Sequence, residues 1–412
     1  MGRKIFMKSI LILTTVSGFL NKFEKDNVKI LLSLGYTVHY AANRNEQIYL
    51  YDESELEAMG VIFHHVDIAK SPYMLKDNLR AYRQLIALVK KYDIQVIHCH
   101  TPVGGVLGRL LGRHFKKKPL KVIYTAHGFH FYKGAPLLNN TAYYLMEKLM
   151  APYTDVMILI NQEDYDNACK FHLKKGGRVY RVPGVGLDLE KFSPLDEKRC
   201  HEQREALGLK DGDFLLVSVG ELNKNKNQEI VLRALAKMRD MGKDLSHLKY
   251  GVCGDGFYRE KMQRWIRELK LEDTVTMYGY CKEVKWILGC AQASVFPSIR
   301  EGLGMAALES LAMGVPVLAA DNRGTREYMK HGKNGYVCGA KDINGYIRGI
   351  EKLRSLNEAQ MKKMKNYCKR SAEAFDKAKT HEMMQAIYER LDSEITAAEK
   401  SYQTSGSKRI SG

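Results

Sequence analysis

The chain has 412 residues, 45% hydrophobic and 27% charged, enough for two domains with their own cores and unlike a disordered or fibrous chain. Lys and Arg number 65 against 47 Asp and Glu, a net charge of +18. No recognition helix, zinc finger or base-stacking motif accompanies that charge, which argues against nucleic acid and leaves solubility or an anionic membrane surface.

In chain order, the basic-then-apolar start imitates a secretion signal, but the apolar run is short and no small-residue cleavage site follows. Residues 9–15 therefore read as a first buried strand. No apolar run approaches bilayer-spanning length. Residues 23–33 show helical spacing, 37–42 and 61–66 read as strands, and 78–91 as a helix with Leu79, Tyr82, Leu85, Ile86 and Val89 on one stripe. A strand at 96–99, a helix at 103–113, a strand at 122–125, a helix near 142–150 and a strand at 156–160 follow. Strands alternating with helices predict a parallel, doubly wound sheet, whose ligands bind beyond the carboxyl ends of the strands. Three places qualify in this half: Ser17 and Gly18 after the first strand, the turn that opens at His100, and the segment from His127 to His130.

Residues 183–192 are rich in turn formers and the stretch to 213 is charged and strand-free, which predicts the inter-domain linker. The alternation then restarts, with strands at 214–219, 250–253 and 275–278 and a helix at 260–269. The stretch from Ser298 to Gly314 is the most informative. An apolar strand ends at Pro297, a loop carries Glu301, Gly302, Leu303 and Gly304, a helix of strong helix formers runs from Met305 to Met313, and a further strand occupies 315–320. Glycines before a helix start allow close approach of an anion to backbone N–H groups. Glu301 in the loop and Glu309 on the helix suit hydroxyls on either side of a diphosphate. A solvated acid and a helix-face acid would read the same by spacing alone. A strand at 335–338 and an amphipathic helix at 381–395 close the chain, with a polar tail at 397–412 expected to be disordered.

Glu301 and Glu309 within Glu-Gly-Leu-Gly-Met-Ala-Ala-Leu-Glu resemble the double-glutamate motif of the retaining glycosyltransferases of family 4. Together with His-Cys-His-Thr-Pro-Val-Gly-Gly at 98–105 and Tyr-Thr-Ala-His-Gly-Phe-His-Phe at 124–131, the motif resembles bacterial exopolysaccharide and capsular polysaccharide transferases. The resemblance implies the GT-B fold: two doubly wound, Rossmann-like parallel-sheet domains facing across a cleft. An acceptor domain at 1–185 would be completed by the C-terminal helix 380–396, with a nucleotide-sugar domain at 193–379. It implies a nucleotide-sugar donor, a UDP-sugar by family habit, and a polyprenyl-diphosphate-linked saccharide acceptor at the inner face of the cell membrane. Lys226 would counter the departing diphosphate, with Lys224 as its rival. Glu301 would grip the donor sugar, Glu309 the ribose, and Gly220, Gly254 and Gly256 would line the nucleotide. His127 would line the reacting face, with Ser17, Gly18, His100 and His130 on the acceptor side. Glu221 stands where the family commonly has Arg, which removes one expected phosphate contact.

The resemblance also implies catalysis without a bound metal. The histidines at 98, 100, 127 and 130 with Cys99 invite a zinc reading. Strand alternation turns Cys99 away from His98 and His100, and no acidic ligand is apparent, so no metal is expected. The eight cysteines (Cys99, Cys169, Cys200, Cys253, Cys281, Cys290, Cys338 and Cys368) lack Cys-x-x-Cys spacing and read as reduced thiols. Two other functions stay open: a nucleotide-sugar 2-epimerase of the same fold, and a non-catalytic scaffold for polysaccharide assembly, at which Glu221 hints.

Overall fold

The computed structural model describes residues 8–47 and 52–407. The chain divides into two compact units, Met1–Val185 with Ala378–Gly412, and Gly186–Lys377.

In the first unit seven strands form one sheet: β1 (Lys8–Ser17), β2 (Tyr36–Gln47), β3 (Ile62–His65), β4 (Val96–His100), β5 (Lys121–Ala126), β6 (Val156–Leu159) and β7 (Arg178–Arg181). Their order is β3-β2-β1-β4-β5-β6-β7, and every pairing is parallel. Parallel neighbours need crossovers, and helices such as Leu75–Lys91 and Pro102–His114 supply them. With helices on both faces, the central strands are buried on both sides. That is why β1 carries the unbroken apolar run Ile10–Leu13 rather than an alternating pattern, and why every residue of β4 is buried. One face of the sheet gathers Leu11, Leu13, Ile97, Cys99, Val122, Tyr124 and Met157 into a single core.

The terminal helix, Lys377–Ser407, is tied to this sheet. Tyr388 meets His98 Nδ1 at 2.8 Å, Lys8 reaches Asp392 at 2.6 Å, Tyr36 donates to Asp392 at 2.9 Å, and Lys121 and Arg178 pair with Glu394 at 3.2 and 2.6 Å.

The second unit holds β8 (Phe214–Val219), β9 (Leu248–Cys253), β10 (Val275–Gly279), β11 (Ala293–Phe296), β12 (Val317–Ala320) and β13 (Gly335–Cys338), in the order β10-β9-β8-β11-β12-β13 and again all parallel. Both sheets thus reverse direction next to their first strand, between β1 and β4 and between β8 and β11. In such sheets that reversal opens a crevice at the strand carboxyl ends.

Some elements differ from the sequence expectations. β7 was not foreseen: it is an edge strand, Arg-Val-Tyr-Arg, with no apolar run to announce it. The stretch taken as linker contains a helix, Glu197–Ala206, whose first turn is capped by the Asp196 side chain. It has no buried residue, so no apolar stripe advertised it. The terminal helix, Lys377–Ser407, extends into the stretch read as a polar tail from 397. Residues 408–412 lie outside the described residues.

Candidate functional site

The second unit's crevice is built by two loops. After β8 the chain turns at Gly220 and runs through Glu221–Gln228 before the helix Glu229–Asp240. After β11 it runs from Pro297 to Gly304 before the helix Met305–Ala312. Because β8 and β11 are neighbours, the loops touch. Asn225 Nδ2 donates to the Arg300 carbonyl at 2.9 Å, and Ile299 N–H donates to the Asn225 carbonyl at 2.8 Å. Asn227, held at φ +59, donates to the Pro297 and Ala340 carbonyls at 3.0 and 2.8 Å. Asn322 Nδ2 holds the Ser298 carbonyl from the far side at 2.9 Å.

These amide staples fix the lysine between them. Lys226 Nζ meets Glu301 Oε1 at 2.6 Å, with side-chain exposures of 24% and 14%. The ammonium also lies 5.5 Å from the centre of the Phe296 ring. Lys224, by contrast, is exposed.

Gly304 caps the following helix in the left-handed region, φ +94, and a Cβ there would lie 2.8 Å from the Phe296 ring. Leu303 is buried, and its carbonyl accepts from Tyr328 Oη at 3.1 Å. Gly302 is half-buried in the same loop, and Glu309 is half-buried on the helix beyond it. Gly220, Gly254 and Gly256 join the loop ends of β8 and β9. Gly220 N–H donates to the Cys253 carbonyl and Gly254 N–H to the Gly279 carbonyl. A Cβ on Gly254 would fall 1.9 Å from the Gly220 carbonyl oxygen.

Sequence reasoning missed one cation here. Arg323, after β12, is 5% exposed, and its Nε donates to the Glu301 carbonyl at 3.3 Å. Its place one loop past the glutamate motif was the available signal. Glu221 is exposed, and its carbonyl accepts from Gln228.

The first unit's crevice is lined from β1, β4 and β5. Ser17 is fully buried, and its Oγ has no hydrogen-bond partner. Gly18, at φ +79, opens the short helix Phe19–Phe23. Thr101, after β4, is held at φ +62, and its hydroxyl bonds Thr15 at both N–H (3.1 Å) and Oγ1 (2.7 Å). A non-glycine residue in that region marks a turn that its surroundings over-determine. The turn delivers His100, whose Nδ1 lies 3.2 Å from His127 Nε2. A third group, unseen in the sequence, joins them: Glu24, between the helices Phe19–Phe23 and Lys25–Ser33, 3.5 Å from His100 and 3.6 Å from His127.

Burial pushes Glu24 up to about 8 and His127 down to about 4, and holds His100 well below the usual imidazole range. The three therefore favour their neutral forms near pH 7. His98 belongs to the structure instead: its ring bridges Thr125 and Tyr388 at 2.8 Å each. Cys99 faces the other way, against Gly108. His130 packs on Tyr143, ring centres 5.1 Å apart.

Comparison with known proteins fits this geometry. The family model described as Glycosyl transferases group 1 matches residues 201–373, and that described as Glycosyl transferase 4-like matches residues 9–161. A Bacillus subtilis (strain 168) protein named as glycosyltransferase EpsD is 37% identical over 92% of this chain and 96% of its own length. The Escherichia coli UDP-Gal:alpha-D-GlcNAc-diphosphoundecaprenol alpha-1,3-galactosyltransferase is 26% identical over 68% of this chain and 71% of its own. Among solved structures, sucrose-phosphate synthase from Thermosynechococcus elongatus superposes with a TM-score of 0.76 over 94% of this chain and 100% of that one, at 18% identity, a likeness of fold. The chain belongs to the GT-B glycosyltransferases of family 4.

Proposed function

We propose that the chain is a retaining glycosyltransferase that moves a sugar from a UDP-sugar to a polyprenyl-diphosphate-linked saccharide during assembly of an extracellular or capsular polysaccharide. The observation that carries the donor half of this reading is the Lys226–Glu301 pair at the reversal between β8 and β11, beside a glycine-capped helix start. The diphosphate binds where the ammonium and the helix N-terminus add their positive potential. Binding frees the Glu301 carboxylate from Lys226 to accept from the sugar hydroxyls, and Glu309 does the same for the ribose. As the bond from the anomeric carbon to the diphosphate breaks, charge grows on the leaving oxygen and Lys226 stabilises it. Arg323 braces the Glu301 backbone and supplies the guanidinium that Glu221 does not. The acceptor hydroxyl bonds to the same face of the anomeric carbon, and its proton passes to the departing diphosphate.

The acceptor half draws support from the relatives. The Escherichia coli enzyme and a Campylobacter jejuni relative, 29% identical over 47% of this chain, are both named for diphospho-undecaprenol substrates. Among the described residues no helix is long and apolar enough to cross a membrane. The helix Leu137–Met150 instead exposes Leu138, Leu145 and Leu149, which recur at helical spacing on one face. With the +18 charge this favours binding at an anionic bilayer surface.

The test is transfer from a panel of UDP-sugars to a diphosphoundecaprenyl-linked monosaccharide, with the product's anomeric configuration read by NMR. UDP release with retained configuration is expected. Inversion, or no transfer from any UDP-sugar of the panel, refutes the reading. Product from donor alone would instead mean an epimerase.

A further inference from the structure

Three Lewis bases converge at the carboxyl ends of the first unit's strands. His100 Nδ1 to His127 Nε2 is 3.2 Å, His100 Nδ1 to Glu24 Oε1 is 3.5 Å, and His127 Nε2 to Glu24 Oε1 is 3.6 Å. We propose that Glu24, His100 and His127 form a binding site for one divalent transition-metal cation of the zinc class. This departs from the expectation of a metal-free protein, which rested on the family resemblance, on Cys99 facing away and on the want of an acidic ligand; Glu24 bears only on the last of these. It draws nothing from the donor site.

Distances support a common centre. Zinc binds imidazole nitrogen and carboxylate oxygen at about 2.0–2.1 Å, so adjacent corners of its tetrahedron lie about 3.3–3.4 Å apart. The three separations straddle that value. The Glu24 oxygen is too far from either nitrogen for a good hydrogen bond, for which about 2.7–3.2 Å is usual, yet it points at both. Glu24 is 2% exposed, and Asn27 Nδ2, at 2.5 Å, donates to its other oxygen. A carboxylate inside a protein needs a proton or a cation, and a cation here would meet all three ligands at once.

The His100 ring is only partly engaged. It is fully buried, and its Nε2 has no hydrogen-bond partner, whereas both nitrogens of neighbouring His98 are engaged. His100 Nδ1 has a hydrogen bond with His127 Nε2 in which either ring can donate, so the His100 tautomer is not fixed by it. A cation on Nδ1 would fix it, placing the proton on Nε2.

Two imidazoles and one carboxylate suit zinc, cobalt, nickel or copper rather than magnesium, which prefers all-oxygen shells. Three protein ligands leave one corner of a tetrahedron open, the arrangement of sites that take up water or a substrate oxygen. His127, 24% exposed at the side chain, is the way in. Phe19 closes another side, its ring 5.1 Å from that of His127 and 5.6 Å from that of His100.

The experiment uses the full chain, stripped with a chelator and titrated with zinc chloride alone by calorimetry, with elemental analysis after dialysis. One equivalent per chain is expected. Glu24→Gln and His127→Gln should each weaken binding more than about 100-fold, beyond what losing an outer-shell partner costs. Cobalt in place of zinc should give the intense visible bands of a four- or five-coordinate site, lost in both variants. Sub-stoichiometric zinc in the wild type, or unchanged affinity in the variants, overturns the proposal. Should buried Glu24→Gln fail to fold, His127→Gln, at the more exposed ligand, decides the matter. Glycosyl transfer is not the readout, so failure of zinc binding and failure of the proposed reaction are told apart.

Discussion

Lys226 and Glu301 are expected to be coupled through the donor, and a double-mutant cycle measures that coupling. Their contact is a charge-assisted hydrogen bond of 2.6 Å between side chains 24% and 14% exposed. A bond of this kind contributes about 1.5–3 kcal/mol to stability. Lys226→Ala leaves the Glu301 carboxylate half-buried without its ammonium, so the second unit should lose about 2 kcal/mol. For a unit of this size that is about 4–8 °C in Tm. The effect on catalysis should be larger, because the lysine acts where charge develops: about 100- to 1,000-fold in kcat, or roughly 2.7–4 kcal/mol. Glu301→Gln keeps an acceptor but loses the charge, so it should destabilise less and still lower kcat. Since both groups act on one bound donor, the double variant should lose less activity than the product of the two single losses. The assay is UDP release under saturating acceptor, with Tm read in parallel. Additive losses, or singles within about threefold of wild type, would refute the assignment of this pair to the donor.

Other outcomes follow from the same geometry. Gly304→Ala places a Cβ at φ +94 and 2.8 Å from the Phe296 ring; about 1–2 kcal/mol of backbone strain should raise KM for the donor while Tm falls by a few degrees, and an unchanged KM would count against the loop's role. Arg109 and Glu147 form a fully buried pair at 2.6 Å, with the guanidinium 4.1 Å over the Tyr124 ring; Glu147→Leu strands the buried cation and should cost about 3–5 kcal/mol in urea unfolding, while Arg109→Met with Glu147→Leu should recover much of that loss. His39, stacked on His64, is held down at about 4 by burial, against an ordinary 6.5. Its neutral form is the folded one, so its contribution to stability is complete above about pH 6.5 and is lost as pH falls toward 4. Between pH 7 and 5 this amounts to about 2 kcal/mol, and His39→Asn should flatten the pH dependence of urea unfolding by that much; an unaltered slope would place the protonation elsewhere.

The strands of both sheets were legible because central parallel strands are apolar on both faces and stand out as runs, as at 9–15 and 214–219. The glutamate loop was legible because a strand, two glycines and a helix of strong formers fall within twenty residues. What escaped notice lacked a local signal. β7 is charged at both ends, and the helix Glu197–Ala206 buries nothing. Glu24 sits between Phe23 and Lys25 in what reads as the polar side of a helix, and it reaches the histidines only because β1 lies beside β4. That adjacency is set by strand order, which no window of sequence contains. The contact of Lys226 with Glu301 likewise depends on asparagine staples across two loops, which no window of sequence contains.

The ties between the terminal helix and the first sheet bear on how the chain is made. Tyr388, Asp392 and Glu394 hold positions on β1, β2, β4, β5 and β7, yet they leave the ribosome after all of Gly186–Lys377. The second unit is thus free to fold while the first still waits for its last helix, with His98 lacking one of its two partners. A chain that stalls during synthesis near residue 377 would carry a finished middle and an unfinished beginning, a species for chaperones and proteases to find.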